Sequence, residues 1–202
     1  MRAFAACLCL IGTLALSGCT TEIEVANHDS NALIAAIRAA NAKPGAYRIS
    51  LAHRGLYVLG NAAEQGLLLP AIKGKLTIDG DGSEIRSYAS GRVALLEVAS
   101  SGDLSLHKLS LAEGTDGAIR NFGKLTLEST RVLDSTGTRR TAIVLNRGQL
   151  VARDSELAYN NLEATGPDAK TILNFGKLRL ENTRVHDNVL NLSTSELASN
   201  AR

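Results

Sequence analysis

The chain has 202 residues, enough for one domain, and carries 22 Lys and Arg against 20 Asp and Glu, a formal net charge of +2. The two signs are interspersed, so no basic patch argues for nucleic acid. There is no Trp, so a folded core must be built from Leu, Ile, Val and Ala.

Residues 1–19 read as a targeting segment rather than structure. Arg2 supplies the positive start, and Ala3 to Leu16 form an apolar run too short to span a bilayer. The run ends Leu16-Ser17-Gly18-Cys19, followed by polar Thr20-Thr21-Glu22. This resembles the bacterial lipobox, which implies cleavage before Cys19 and lipidation of that residue. Thr rather than Asp follows the Cys, so the resemblance implies outer-membrane sorting in a Gram-negative host. Multiple acyl chains give stable anchoring where one chain binds marginally. Cys7 and Cys9 would leave with the signal, so the anchored chain is expected to have neither an intramolecular disulfide nor a Cys metal site.

Residues 20–29 are polar and read as a short tether. Asp29 or Ser30 is suited to cap a helix over residues 30–41, with Leu33, Ile34, Ile37 and Ala40 on one face. Lys43-Pro44-Gly45 ends it. Such an amphipathic helix is expected to cover the open first layer of a repeat structure. An irregular first coil follows, in which Tyr47-Arg48-Ile49-Ser50-Leu51 and Gly55-Leu56-Tyr57-Val58-Leu59 alternate with a period of two.

From Gly74 onward the chain repeats itself. Gly74, Gly102, Gly123, Gly148 and Gly176 are spaced 28, 21, 25 and 28 residues apart. Two positions after each stands Leu76, Leu104, Leu125, Leu150 or Leu178, and four after stands Ile78, Leu106, Leu127, Ala152 or Leu180. Counting four back from the last four glycines gives Val98, Ile119, Val144 and Ile172. A unit this short cannot bury its own apolar face, but stacked units can share one core. The Gly is expected to supply a positive φ at a sharp bend.

Two positions before the Gly, the last three units place Asn121, Asn146 and Asn174, while the first two have Ile72 and Ser100. On stacked coils these amides would lie about 4.8 Å apart and form a structural ladder. Five after the Gly the last three units read Glu128, Arg153, Glu181, and eight after they read Arg131, Glu156, Arg184. Both columns alternate in sign, so opposite charges are expected to face each other from rung to rung. Five framed units and the irregular coil predict roughly six coils, about 30 Å of stack.

The Asn-x-Gly-x-Leu-x-Leu units, preceded by the helix and by Leu76-Thr77-Ile78-Asp79-Gly80-Asp81-Gly82, resemble the bacterial right-handed parallel β-helix proteins of the pectin-lyase-like superfamily. The resemblance runs from about residue 30 to 188. It implies an all-β, single-stranded right-handed parallel β-helix over residues 30–188, with residues 189–202 as a tail or partial cap. A leucine-rich repeat ranks well below, because there the Asn follows the Leu pattern and here it precedes it.

The superfamily includes polysaccharide lyases and glycosidases, so the resemblance makes carboxylates candidates for catalytic or metal-binding groups. Glycosidic hydrolysis generally needs two positioned carboxylates. Asp79, Asp81 and Glu84 lie close in sequence and resemble a calcium loop at first glance. They lack the full loop spacing, and Asp-Gly is ordinary tight-turn sequence, so a structural turn is expected. His28, His53, His107 and His186 occur singly and read as surface residues. Phe122 and Phe175 share a frame position interrupted by Arg147, and read as turn-packing residues rather than a sugar platform.

No catalytic residue, cofactor or metal is assigned from the sequence. The expected function is a lipid-anchored cell-envelope module for binding, adhesion or structure. The membrane is its partner through Cys19, with polysaccharide or an envelope protein as a further partner. The alternative is a polysaccharide-active enzyme.

Overall fold

In the computed structural model, the residues described are 20–138, 141–163, 170–186 and 189–192. The proposed targeting segment, with Cys19, and most of the tail lie outside them. The chain winds as an all-β, right-handed parallel β-solenoid of about six turns with one short helix.

The first turn holds β1 (Thr20–Val25) and α1 (Ser30–Ala42), and the second holds β2 (Ala46–Leu51) and β3 (Leu56–Leu59). Next come β4 (Lys75–Ser87) and β5 (Leu96–Val98), then β6 (Asp103–Ala112) and β7 (Ile119–Asn121). The fifth turn has β8 (Lys124–Glu128), β9 (Arg131–Leu133), β10 (Thr136–Gly137) and β11 (Val144–Asn146). The sixth has β12 (Gln149–Arg153), β13 (Glu156–Ala158), β14 (Asn161–Leu162) and β15 (Ile172–Asn174). The last has β16 (Lys177–Glu181), β17 (Arg184–Val185) and β18 (Val189–Asn191), so that six windings join the seven rungs of the longest sheet.

Every strand pairs in parallel with its counterpart one turn away, which produces three faces. On face A the order is β1-β2-β4-β6-β8-β12-β16. Face B stacks β3, the second halves of β4 and β6, then β9, β13 and β17. Face C stacks β5, β7, β11, β15 and β18.

The repeated apolar positions fill the space between the faces. Tyr47, Leu76, Leu104, Leu125, Leu150 and Leu178 form one inward column on face A, all buried. Tyr57, Ile85, Leu111, Val132 and Leu157 do the same on face B. Each inward Leu removed from water contributes about 2 kcal/mol, and one side chain packs on its like in the next turn.

Residues 20–29 are not a tether. Thr20–Val25 is the first rung of face A, pairing with β2 from Thr20↔Ala46 to Val25↔Leu51. Its alternation is masked because only Ile23 and Val25 turn inward. α1 begins as expected at Asp29, whose carboxylate accepts from the Ala32 N–H at 2.8 Å. It buries Leu33, Ala36, Ile37 and Ala40 in the same core as Ile49 and Tyr57. Asn41 then fastens it to the second turn, donating to the Ala71 carbonyl and accepting from the Lys73 N–H. Pro44 disfavours helical geometry at Lys43, which is extended.

At the other end the ladder continues past 188, since Val189–Asn191 pairs with β15. One column is also reassigned. Val98 pairs with Asn121, and Leu96 pairs with Ile119. A fixed count back from Gly102 misplaces both by two, because the chain between Val98 and Gly102 carries two extra residues.

The repeat glycines do not bend the chain through positive φ, which among the described glycines occurs at Gly45, Gly66, Gly82 and Gly117. Their role is close approach. A Cβ on Gly148 would collide with the Gly123 carbonyl oxygen, and one on Gly176 with that of Gly148. Gly74 differs, because its nearest neighbour, the Ala40 carbonyl oxygen of α1, would lie at 3.5 Å.

Candidate functional site

Three corners join the three faces, and their chemistry differs. At the corner between faces C and A the amides form a continuous buried ladder. Asn121 donates to Asn146 Oδ1 at 2.7 Å, and Asn146 to Asn174 Oδ1 at 2.5 Å. Each also reaches backbone, Asn121 to the Gln149 carbonyl and Asn146 to the Lys177 carbonyl, both at 2.9 Å. Ile72 and Val98 hold the same column in earlier turns. The amides at this corner are fully buried and hydrogen-bonded to one another, so its role is structural. Phe122, Arg147 and Phe175 lie just outside it, with the Arg147 guanidinium 5.0 Å from the centre of the Phe175 ring. Both Phe side chains stay partly exposed rather than packed into the turn.

The corner between faces A and B is built differently. Arg54, Asp81, Lys108, Ser129, Asp154 and Asn182 stand one above another, all in left-handed backbone geometry with φ between 45° and 48°. Such φ values are uncommon for residues other than Gly, Asn and Asp. The stack supports them, since Arg54, Ser129 and Asp154 each donate a backbone N–H to a carbonyl of the next turn. Beneath them runs a hydroxyl column of Ser83, Thr130, Ser155 and Thr183, interrupted by Leu109. Thr130 Oγ1 donates to the Leu106 carbonyl, and Ser155 Oγ accepts from the Thr130 N–H, both at 3.1 Å. Gly80 lets β4 pass, because a Cβ there would lie 2.6 Å from the Lys108 carbonyl oxygen.

This corner carries an open cleft of about 320 Å³ lined by His53, Arg54, Asp81, Lys108, Ser110, Ser129 and Arg131, among others. Arg54, Lys108 and Arg131 bring three cations from three turns to one mouth. Asp81 is the one carboxylate in the lining, and His53 Nδ1 lies 3.0 Å from its Oδ2.

The other arginines show what is unusual here. Arg48, Arg86, Arg92, Arg120, Arg153, Arg179 and Arg184 each hold a carboxylate. Arg38 reaches a carbonyl, and Arg147 lies over Phe175. Among the described residues, Arg54 and Arg131 are the arginines whose guanidinium has no such partner, and both line the cleft.

Sequence reasoning placed Arg131 opposite Glu156. The two are in register, but the Glu156 carboxylate is taken by Arg184 at 3.3 Å and His186 at 3.6 Å. The companion column behaves alike, with Arg153 holding Glu181 at 2.7 Å while Glu128 faces His107 at 3.5 Å. The alternating columns stack as expected, but each charge favours one neighbour and leaves the other. Arg54 and Lys108 were missed altogether. Lys108 sits six residues after Gly102, as do Ser129, Asp154 and Asn182 after their glycines, so the column was countable; its convergence with Arg54 and Arg131 was not.

The acids considered for metal binding are dispersed. Asp79 holds Arg48 at 3.1 Å, Asp81 faces His53, and Glu84 holds Arg86 at 2.6 Å. The expected turn is the A–B corner itself: Asp81 and Gly82 are left-handed, with φ of 45° and 84°, and the pairing of β4 shifts between Asp79 and Ser83 as it passes from face A to face B. Among the described residues no group of three His, Cys, Asp or Glu is placed to hold a metal ion. His186 stacks on the exposed ring of Tyr159, centroids 6.2 Å apart. No protein-family model, curated protein or solved structure matches the chain.

Proposed function

We propose that this chain is a lipid-anchored β-helix of the cell envelope that works as a binding module. The observation that carries the reading is the cleft at the A–B corner. Among the described residues, every other arginine meets a carboxylate, a carbonyl or an aromatic ring, whereas Arg54 and Arg131 line one cleft with Lys108 and face solvent. A surface evolved only for packing gains nothing by holding like charges together, since they repel; a ligand of opposite charge gains from finding them preorganised.

Anchoring rests on the Leu16-Ser17-Gly18-Cys19 sequence and its resemblance to a lipobox. With β1 starting at Thr20, an anchor on Cys19 would leave no free spacer and hold the first rung beside the membrane. The resemblance to the pectin-lyase-like superfamily supports an exported, polysaccharide-facing setting. A second reading, a polysaccharide-active enzyme, is favoured by one detail: the His53–Asp81 pair stands in the same cleft as Lys108 and Arg131.

The two readings separate in one experiment. The full chain is presented with neutral and acidic polysaccharides, and both retention and new reducing or unsaturated ends are measured. Retention without new ends is expected. New ends that vanish in His53→Ala would replace the binding module with an enzyme, and neither retention nor new ends would remove the enzyme and polysaccharide as the module's ligand.

A further inference from the structure

We infer that the cleft at the A–B corner is a site for a phosphate monoester. The inference rests on the binding-module reading and names the chemical group that the module takes.

Charge is the first argument. Arg54, Lys108 and Arg131 outnumber the single acid, Asp81, which already faces His53. A monocarboxylate would neutralise one cation and leave the excess. A phosphate monoester carries a charge of about −1.5 to −2 at pH 7 and presents three strong acceptor oxygens.

Donor geometry is the second. Two guanidinium groups supply planar forks suited to paired oxygens, and the ammonium supplies a movable point charge. The Ser129 hydroxyl lines the same cleft and adds a neutral donor. These groups come from three turns of one rigid stack. Arg54, Lys108 and Ser129 are fixed by their shared left-handed backbone, and Arg131 opens β9 two residues beyond Ser129. Little ordering of the backbone is therefore needed on binding.

Size is the third. A cleft of about 320 Å³ is larger than phosphate alone requires and falls at the lower end of volumes that take small organic ligands. It opens to solvent, so the group carrying the phosphate can extend outward. That group can be a free sugar or a lipid headgroup, since the recognising chemistry is the same.

The test uses the purified full chain in neutral detergent, with binding followed by calorimetry. The probes are glucose 1-phosphate, water-soluble dihexanoyl phosphatidate, glucose, and polyglucuronate as a carboxylate-only polymer. At least one of the two phosphate esters is expected to bind, with inorganic phosphate competing and glucose inert. The double variant R54Q/R131Q is expected to weaken binding by about tenfold or more per arginine, while Lys124→Gln at the far end of face A leaves it unchanged. Binding of glucose 1-phosphate would indicate a soluble ester; binding of phosphatidate alone would indicate a headgroup.

Phosphate binding that survives R54Q/R131Q would overturn the assignment of the site. Arginine-dependent binding of polyglucuronate with no binding of, or competition by, phosphate would overturn the phosphate assignment and leave the binding module standing. If no probe binds and the polysaccharide screen is also blank, both fall. Far-UV circular dichroism of the double variant must match the parent, and both substitutions are on exposed side chains.

Discussion

Two corners of the same solenoid stack one residue per turn, yet they use the stack in opposite ways. At the C–A corner, Asn121, Asn146 and Asn174 are buried and pass hydrogen bonds from one to the next. At the A–B corner, Arg54, Asp81, Lys108 and Ser129 project outward, and their cations find no internal partner. A buried polar group must be satisfied by the fold, because an unmade hydrogen bond costs about 1–3 kcal/mol. An exposed charge is satisfied by water and is free for a ligand. The first corner therefore tolerates little change, and the second can be rewritten with little effect on folding.

The largest effect is expected where the C–A corner closes. Gly148→Ala would force a Cβ into the Gly123 carbonyl, costing about 3 kcal/mol or more, seen as a steep drop in the denaturation midpoint or failure to fold. Gly74→Ala, the same substitution in the same frame position, is expected to be tolerated because its nearest contact is ordinary. Equal destabilisation by the two would break the close-approach account.

Next, Asn146→Ala removes the middle of the ladder, taking a donor from the Lys177 carbonyl and an acceptor from Asn121. A loss of about 2–3 kcal/mol is expected in chemical denaturation. Thr130→Val tests the hydroxyl column beneath the A–B corner. Thr130 Oγ1 bonds the Leu106 and Glu128 carbonyls, so about 1 kcal/mol should be lost. The natural Leu109 in this column shows that one turn does without the hydroxyl. Smallest of all, R54Q/R131Q should change stability by no more than about 0.5 kcal/mol, and Arg153→Ala, which breaks a half-buried pair with Glu181, by less than about 1 kcal/mol. A large loss of stability in R54Q/R131Q would show the cations to be part of the fold.

Much of this architecture was legible in the residues. Leucines two and four places after a recurring Gly define two inward columns, and the period of two marks strands. The Asn positions could be placed in one line because the three units from Gly123 to Gly176 keep equal spacing around the bend. Residue counting failed where spacing changed: Val98, not Ser100, continues the Asn column, because register follows backbone hydrogen bonds rather than distance from a glycine. Thr20–Val25 was missed because an edge strand at the end of a stack buries only its later inward residues.

The sequence by itself determined the repeat, the inward columns and the amide line, because a stacked fold converts recurrence along the chain directly into neighbours in space. Only the tertiary structure decided why the glycines are needed and which charges pair. Collision with the carbonyl one turn below exists only once the turns are stacked. Arg54, Lys108 and Arg131 line one cleft because their turns are wound in register, and no distance along the chain encodes that arrangement.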